Sequence, residues 1–497
     1  MSQIYTFHKT VIGHSHVTRG IPCEDASASF TAEDGRYHIA LIADGHGQER
    51  SFRSSVGSRF AAEAALEALK AFAEAVLSSK DNENQFYLDI LENPRYRRMA
   101  IRQLTDTIFT SWYDKVREDF SANPPSPEEQ VKYAAYCSNE EEIPKIYGTT
   151  LIAALRLPKC MVLLQQGDGR CDVFYADGSV DQPIPWDDRC EGNVTTSLCD
   201  EDAFTSIRHC VLDLEQKPVV ACYAGSDGVE DAYRTMEGTH TFYRDLSCAL
   251  AEKHGPDFDA YLEEMLPEFS AWGRFSKAGS GDDVSVAGIV DLDGIAPLLE
   301  GFRTAVHRFE LEEDLFWQED ALRSKMRKHG ILKQRMEAAR AEYEAEEARR
   351  TKISQTLATM YQKREELTAK LASSQHKVCE GKEDLDAISR YLESTLQEDT
   401  SKNLLCKILA KNPKLCQLLL NSLGSIVSND ESSCSQMQTQ CDELTRRIAD
   451  LSDALEKPAE ALARYEQAKA AFEEYDGPYQ AISEQIRQLK DQIWELR

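Results

Sequence analysis

The sequence predicts an α+β domain over residues 1–296, followed by an all-α arm over residues 297–497. Three observations carry this reading. Short apolar runs in the first part end in acidic, glycine-containing motifs; amphipathic helical segments separate them; and apolar residues recur at three-and-four spacing through the C-terminal part. The runs Ile39–Ile42, Met161–Leu164, Val219–Tyr223 and Val284–Val290 read as strands. The excursion over 51–145 opens with the alanine-rich Phe60–Leu69, which has the pattern of a helix flanking a sheet. A second helix is expected from Met99 to Phe120, with Ile101, Leu104, Ile108, Trp112 and Val116 on one face. Asn123-Pro124-Pro125 ends it, because proline lacks the N–H that a helical ladder needs. Glu140-Glu141-Glu142 reads as a solvated loop, and Asp177-Gly178, after Val173-Phe174-Tyr175, as a hairpin turn.

After Ile295 the composition shifts to Glu, Lys, Arg, Ala and Gln. Ile353, Leu357, Met360, Leu367, Leu371, Val378, Leu385, Ile388 and Leu392 keep a heptad alternation. So do Met437, Cys441, Leu444, Ile448, Leu451 and Leu455, and then Tyr479, Ile482, Ile486, Leu489, Ile493 and Leu496. A stripe of that period is buried only against another helix. The expected form is an antiparallel coiled-coil hairpin whose small helical tip lies around 400–430, with Pro458 and Gly477-Pro478 kinking or interrupting the returning arm.

The acidic motifs suggest chemistry. Ala43-Asp44-Gly45-His46-Gly47 follows the first strand, and Glu24-Asp25, Gly167-Asp168-Gly169-Arg170, Ser226-Asp227-Gly228 through Asp231, and Gly281-Asp282-Asp283 lie at other strand ends. Any single Asp-Gly pair is more often a turn than a ligand. Several carboxylates converging on one cleft, with few soft ligands, would instead select Mg²⁺ or Mn²⁺ over Zn²⁺. Glycine lets a backbone carbonyl approach an ion closely. A pair of such ions would activate a water for hydrolysis. P-loop, His-Glu-x-x-His and Gly-x-Ser-x-Gly patterns are absent from the sequence.

In order and approximate spacing, these residues resemble the PP2C-type metal-dependent protein phosphatases over roughly residues 1–295. The resemblance implies a sandwich of two antiparallel β-sheets flanked by α-helices, and hydrolysis of phosphoserine and phosphothreonine by metal-activated water. It implies two Mn²⁺ or Mg²⁺ ions, with a third in many members. Asp44 would bridge the two metals; the Gly45 carbonyl and Glu24 would bind one of them, with Asp25 supporting through water; Asp227 and Asp282 would hold the other. Asp168 and Asp231 match the third-metal positions, His46 the general acid, and Gly148-Thr149-Thr150 the start of a core strand. The irregular stretch 186–202 stands where family members carry a substrate-facing flap.

Three positions depart from the family pattern. The phosphate-clamping arginine expected four residues before Glu24 is Gly20, with Arg19 one place earlier: its guanidinium can reach across one residue to bind the phosphate, or strand alternation turns it to the other face. The usual Gly-Asp-Ser-Arg is Gly-Asp-Gly-Arg, and the usual Asp-Asn is Asp282-Asp283, which adds a negative charge beside the metals. The displaced arginine and the extra Asp283 support an alternative reading: a catalytically weak PP2C-like scaffold signalling through its coiled coil. His14 and His16 receive no chemistry, beyond the expectation that one of them lines the site.

The net charge of −28 argues against nucleic acid or an anionic membrane as partner. The fourteen cysteines include no Cys-x-x-Cys pair and read as reduced thiols in a cytoplasmic protein. No apolar run approaches a membrane span. Expected partners are a phosphoprotein substrate, a cognate protein kinase, and a coiled-coil partner or a second copy of the chain.

Overall fold

The computed structural model describes residues 3–77, 93–190, 194–378, 431–456 and 460–496. They divide into two compact units, Met1–Phe316 with Leu489–Arg497, and Trp317–Gln488.

The first unit is built on two five-stranded antiparallel sheets. One has the order β1 (Ile4–Val11), β10 (Val284–Asp291), β9 (Val219–Gly225), β6 (Arg170–Tyr175), β7 (Val180–Asp181). The other runs β2 (Ala26–Thr31), β3 (His38–Ala43), β4 (Leu151–Arg156), β5 (Cys160–Gln166), β8 (Arg208–Asp213). All four runs expected as strands are strands, and the sandwich implied by the resemblance is present. Strand β3 shows why its sequence is apolar throughout rather than alternating. Ile39, Leu41 and Ala43 face helices, whereas Ala40 and Ile42 face the opposite sheet with Ile152, Leu163, Val173, Cys222 and Ile289. Both faces are covered, so both registers must be apolar.

Helices α2 (Ser54–Leu77) and α3 (Pro94–Ala122) cover the outer face of the second sheet. The expected apolar face of α3 is buried at Ile101, Leu104, Ile108, Trp112 and Val116. The indole N–H of Trp112 donates to the Gly57 carbonyl at 3.0 Å, so the largest buried side chain leaves no polar atom unpaired. The proline break holds: α3 stops at Ala122 and the chain restarts helically only at Pro127, behind a Ser126–Glu129 capping box. On the other sheet lie α5 (Met236–Glu252) and α6 (Pro256–Trp272), reached through a short α4 (Asp227–Glu230). They pack Phe242, Leu246, Phe258, Leu262 and Phe269 against Phe7, Phe174 and Tyr223. The turn at Asp177 is as expected: its Oδ1 accepts from the Ser179 N–H at 2.9 Å, and Gly178 has φ of 82°.

Helix α7 (Leu299–Val378) begins within this first unit. Phe302 is buried in the helical layer, Phe309 meets Tyr233 edge-on, and Arg234 pairs with Glu313 at 2.6 Å. In the second unit α7 runs antiparallel to α8 (Glu431–Glu456) and α9 (Glu460–Glu495). Partner numbers fall as α7 numbers rise: His329 stacks on Tyr479 at 4.0 Å, Tyr343 on Tyr465 at 5.9 Å, and Thr368 hydrogen-bonds Cys441. Leu357, Leu367, Cys441, Ile448, Leu455, Ile486 and Ile493 are buried. The side chains of Leu371, Val378 and Met437, residues Leu385, Ile388 and Leu392, Pro458 and the tip at 400–430 lie outside the described residues. Pro478 does not interrupt the return: α9 continues through it. Tertiary contacts on either side hold the helix, with His329 Nε2 at 2.7 Å from Asp476 Oδ1 and the His329 ring against Tyr479 and Phe472. No helix among the described residues is long and apolar enough to cross a membrane. The ten cysteines whose side chains are described are free thiols.

Candidate active site

Antiparallel pairing brings the acidic motifs to one end of the sandwich. Asp44 follows β3, Glu24-Asp25 precede β2, Asp168 sits in the β5–β6 turn, Asp227 follows β9 and opens α4, and Asp282 precedes β10. All ten residues expected to act (Arg19, Glu24, Asp25, Asp44, Gly45, His46, Asp168, Asp227, Asp231, Asp282) line one cleft of about 600 Å³.

Local bonding fixes each strand end. Thr150 N–H and Thr149 Oγ1 donate to the Asp44 carbonyl at 2.8 and 2.9 Å, the Asp44 N–H donates to Thr150 Oγ1, and the His46 N–H donates to the Gly148 carbonyl. This is the use of Gly148-Thr149-Thr150: it clamps the turn that carries Asp44. Gly45 faces the Glu24 backbone so closely that any Cβ there would collide with the Glu24 carbonyl. Ser226 and Ser285 exchange hydrogen bonds at 3.0 and 3.1 Å and hold the Asp227 turn to β10. Ser54 Oγ donates to Glu24 Oε1.

The cleft is an electrostatic anomaly. Burial, with Asp283 and Asp227 nearby, drives the Asp25 carboxyl well above its ordinary range. Burial, with Asp227 and Asp25 nearby, does the same to Asp44. Asp227 is pushed up to about 7 by burial and the charges of Asp168, Asp282 and Asp231; burial also raises Glu24 and Asp231. Among the described residues no lysine or arginine is paired with any of these carboxylates, and Asp25 Oδ2 is buried without a hydrogen-bond partner. Buried like charges without a counter-charge are held at several kcal/mol each. A cluster of hard oxygens in this state fits divalent cations of the Mg²⁺ or Mn²⁺ kind.

A family model described as protein phosphatase 2C matches residues 12–267. The chain belongs to the protein phosphatase 2C family. Among solved structures, this PP2C chain is similar to the serine/threonine phosphatase Stp1 from Staphylococcus aureus, with 16% identity over 58% of this chain and 95% of that one, and a TM-score of 0.34. It is similar to PppA of Pseudomonas aeruginosa, with 14% identity, 58% and 98% coverage and a TM-score of 0.35. It is also similar to a C. elegans sex determining protein, with 18% identity, 60% and 68% coverage and a TM-score of 0.36. No curated protein matches the sequence.

Two sequence expectations about the departures from the PP2C pattern need correction. Arg19 is not on a strand. It ends a short helix, α1 (His14–Arg19), closed by Gly20 at φ of 69°, and its Nε and Nη2 donate to the Ser15 carbonyl and Oγ at 3.1 Å each. The offset from Gly20 is therefore a helical one, and strand alternation does not apply. Asp283, expected as surplus negative charge, is 3% exposed and committed to structure: its two oxygens accept from the Gly13 and Glu24 N–H groups at 2.6 Å each.

The sequence reading also left residues out. The long excursion returns to the cleft: Phe52 and Tyr133, stacked at 4.5 Å, line it with Gln48 and Glu49. The irregular segment supplies Thr195. His16 lines the cleft as well, fulfilling the expectation that one of the two early histidines would.

Proposed function

We propose that this cleft hydrolyses phosphoserine and phosphothreonine on proteins, with Asp44, the Gly45 carbonyl, Glu24 and Asp25 disposed for one divalent ion, and Asp227 and Asp282, with Asp44, for a second. Asp168 and Asp231 stand at the same cleft for a third. The observation that carries the reading is the convergence of all these oxygens, raised in pKa by burial and by one another, on one cleft in a PP2C chain. Bound Mn²⁺ or Mg²⁺ would neutralise the charge on the phosphoryl oxygens and lower the pKa of water.

The chain's own groups supply grip and proton control. Arg19 spends only part of its guanidinium on Ser15, leaving other N–H groups for a phosphate oxygen. In the reaction a water oxygen bonds to phosphorus, the ester P–O bond breaks, and the leaving alkoxide takes a proton. His46 stands at the cleft for that last step. Burial, with Arg50 adding to it, pushes its ring down to about 4, and an entering phosphoryl dianion would raise it toward the protonated form that this step needs. Division of labour falls near residue 297: chemistry before it, and after it a coiled-coil arm for partner docking or self-association, supported by exposed Met326 and Ile331 on α7.

The deciding experiment is turnover of a phosphothreonine peptide by the full chain, titrated with Mn²⁺, with Asp227→Asn alongside. Metal-dependent phosphate release that Asp227→Asn abolishes supports the phosphatase. Metal binding without release favours the alternative, a scaffold acting through its arm.

A further inference from the structure

His16 has no part in the roles above, and its surroundings are unusual. The ring is 6% exposed, and neither nitrogen makes a hydrogen bond to the protein. Buried imidazoles are ordinarily satisfied at both nitrogens. Here Nδ1 stands 3.0 Å from Asp283 Oδ1 but out of line for a hydrogen bond. Nε2 faces the cleft, 3.6 Å from Asp282 Oδ1 and 4.0 Å from Glu24 Oε2.

The position is rigidly built. The Ser15 N–H donates to the Gly281 carbonyl at 2.8 Å and the His14 N–H to Ser270 Oγ at 3.0 Å, docking α1 onto α6 and onto the loop that carries Asp282. A Cβ on Gly13 would collide with the Asp282 backbone, so only glycine allows this approach. Asp283 cannot swing away, since both its oxygens hold N–H groups. Its fixed carboxylate holds the Nδ1 side of the ring, so that Nε2 faces Asp282 and Glu24 across the cleft. A ring nitrogen facing two carboxylates is satisfied either by donating a proton to them or by sharing a cation with them. His16, Asp282 and Asp283 each present a donor atom, all within 4.8 Å of one another, and Nε2 and Asp282 Oδ1, 3.6 Å apart, are close enough to share one ion. Cys23, also beside Asp283, offers no competing thiolate, because burial keeps it a thiol.

We propose that His16 Nε2 is a nitrogen ligand to the divalent ion held by Asp282, with Asp283 orienting the ring. The proposal rests on reading the cleft as a metal centre. It gives that centre a mixed nitrogen and oxygen donor set, which shifts preference from Mg²⁺ toward Mn²⁺ or a later transition metal.

The test is pulsed electron paramagnetic resonance of Mn²⁺ in the full-length His46→Gln protein, where His16 is the remaining histidine lining the cleft. Strong ¹⁴N coupling to Mn²⁺ is expected there, lost on adding His16→Gln. Calorimetry on His16→Gln alone should show Mn²⁺ affinity falling about tenfold or more, with Mg²⁺ affinity changing less than about threefold. Mn²⁺ bound in the cleft without ¹⁴N coupling overturns the proposal and leaves the metal-centre reading standing. That result would leave His16 a neighbour of the carboxylates and not a ligand. Failure of Mn²⁺ to bind overturns both. Should His16→Gln not fold, presence or absence of coupling in the His46→Gln protein still decides.

Discussion

Two acidic regions of this chain handle charge in opposite ways. In the helical arm, carboxylates sit at the surface beside cations one turn away: Arg340 with Glu344 at 2.8 Å, Arg350 with Glu346 at 3.1 Å, Arg487 with Glu484 at 2.6 Å. In the cleft, Asp25, Asp44 and Asp227 are largely withdrawn from solvent, and the charges that act on them are those of other carboxylates, Asp283, Asp168, Asp282 and Asp231 among them. The arm's charges are solvated and screened, so each pair matters little. The cleft's charges are in conflict, which evolution retains where a ligand resolves it. Charge count alone cannot separate these regions; burial and the identity of the neighbour do.

The comparison breaks most sharply at Asp44. Asp44→Asn removes the carboxylate expected to bridge two ions, and phosphopeptide turnover should fall about a thousandfold or more. Because Asp44 is opposed by Asp227 and Asp25, the metal-free variant should melt no lower than the parent in chelator. An active variant would refute the site assignment, and a clearly less stable one would refute the account of charge conflict.

Next comes metal removal itself. Asp227 is raised to about 7, and Asp44 and Asp25 are also raised, so in the chelated protein the folded state holds protons that unfolded carboxylates have lost above about pH 4. Metal-free stability should therefore fall as pH rises from about 4 to 7, by an amount on the order of a few kcal/mol. Saturating Mn²⁺ should flatten the slope, since a cation then replaces the protons. Melting temperatures across that range, with and without chelator, decide it. A metal-free profile that rises with pH would contradict the mutual elevation of these carboxylates.

Much of this was legible in the sequence, for identifiable reasons. Strand β3 and the Trp112 face of α3 were readable because burial forces residue type at a fixed period. Asp177-Gly178 was readable because its turn needs those two residues and nothing distant. Tertiary partners were not readable. Arg19 was misplaced because six residues with a glycine stop form a helical turn too short to leave a periodic signal. Asp283 looked like surplus charge because its partners, Gly13 and Glu24, are backbone N–H groups 270 and 259 positions away. Pro478 was expected to kink or interrupt α9, since the packing of His329 on Tyr479 is invisible from the return arm alone. His16 carries a signal only once its buried nitrogens and three carboxylate neighbours are seen together.

The smaller predictions sharpen the comparison from the arm's side. Leu357 is fully buried in the arm, so Leu357→Ala should cost about 2–5 kcal/mol of that unit's stability. Peptide turnover should stay within about twofold, because the residue belongs to the unit that does not contain the cleft. Loss of turnover in step with helicity would mean that the arm's folding sets the cleft's competence, contrary to the proposed division near residue 297. Arg340→Ala is the weakest perturbation. Its guanidinium is solvent-exposed, and its partner Glu344 is 60% exposed, so the released carboxylate simply returns to water. Melting should be unchanged within measurement, whereas any cleft carboxylate changed in the same way should respond to chelator. If Arg340→Ala destabilised the arm as much as Leu357→Ala does, the arm's surface charges would be structural, and the contrast between solvated and conflicted charge would fail on that side.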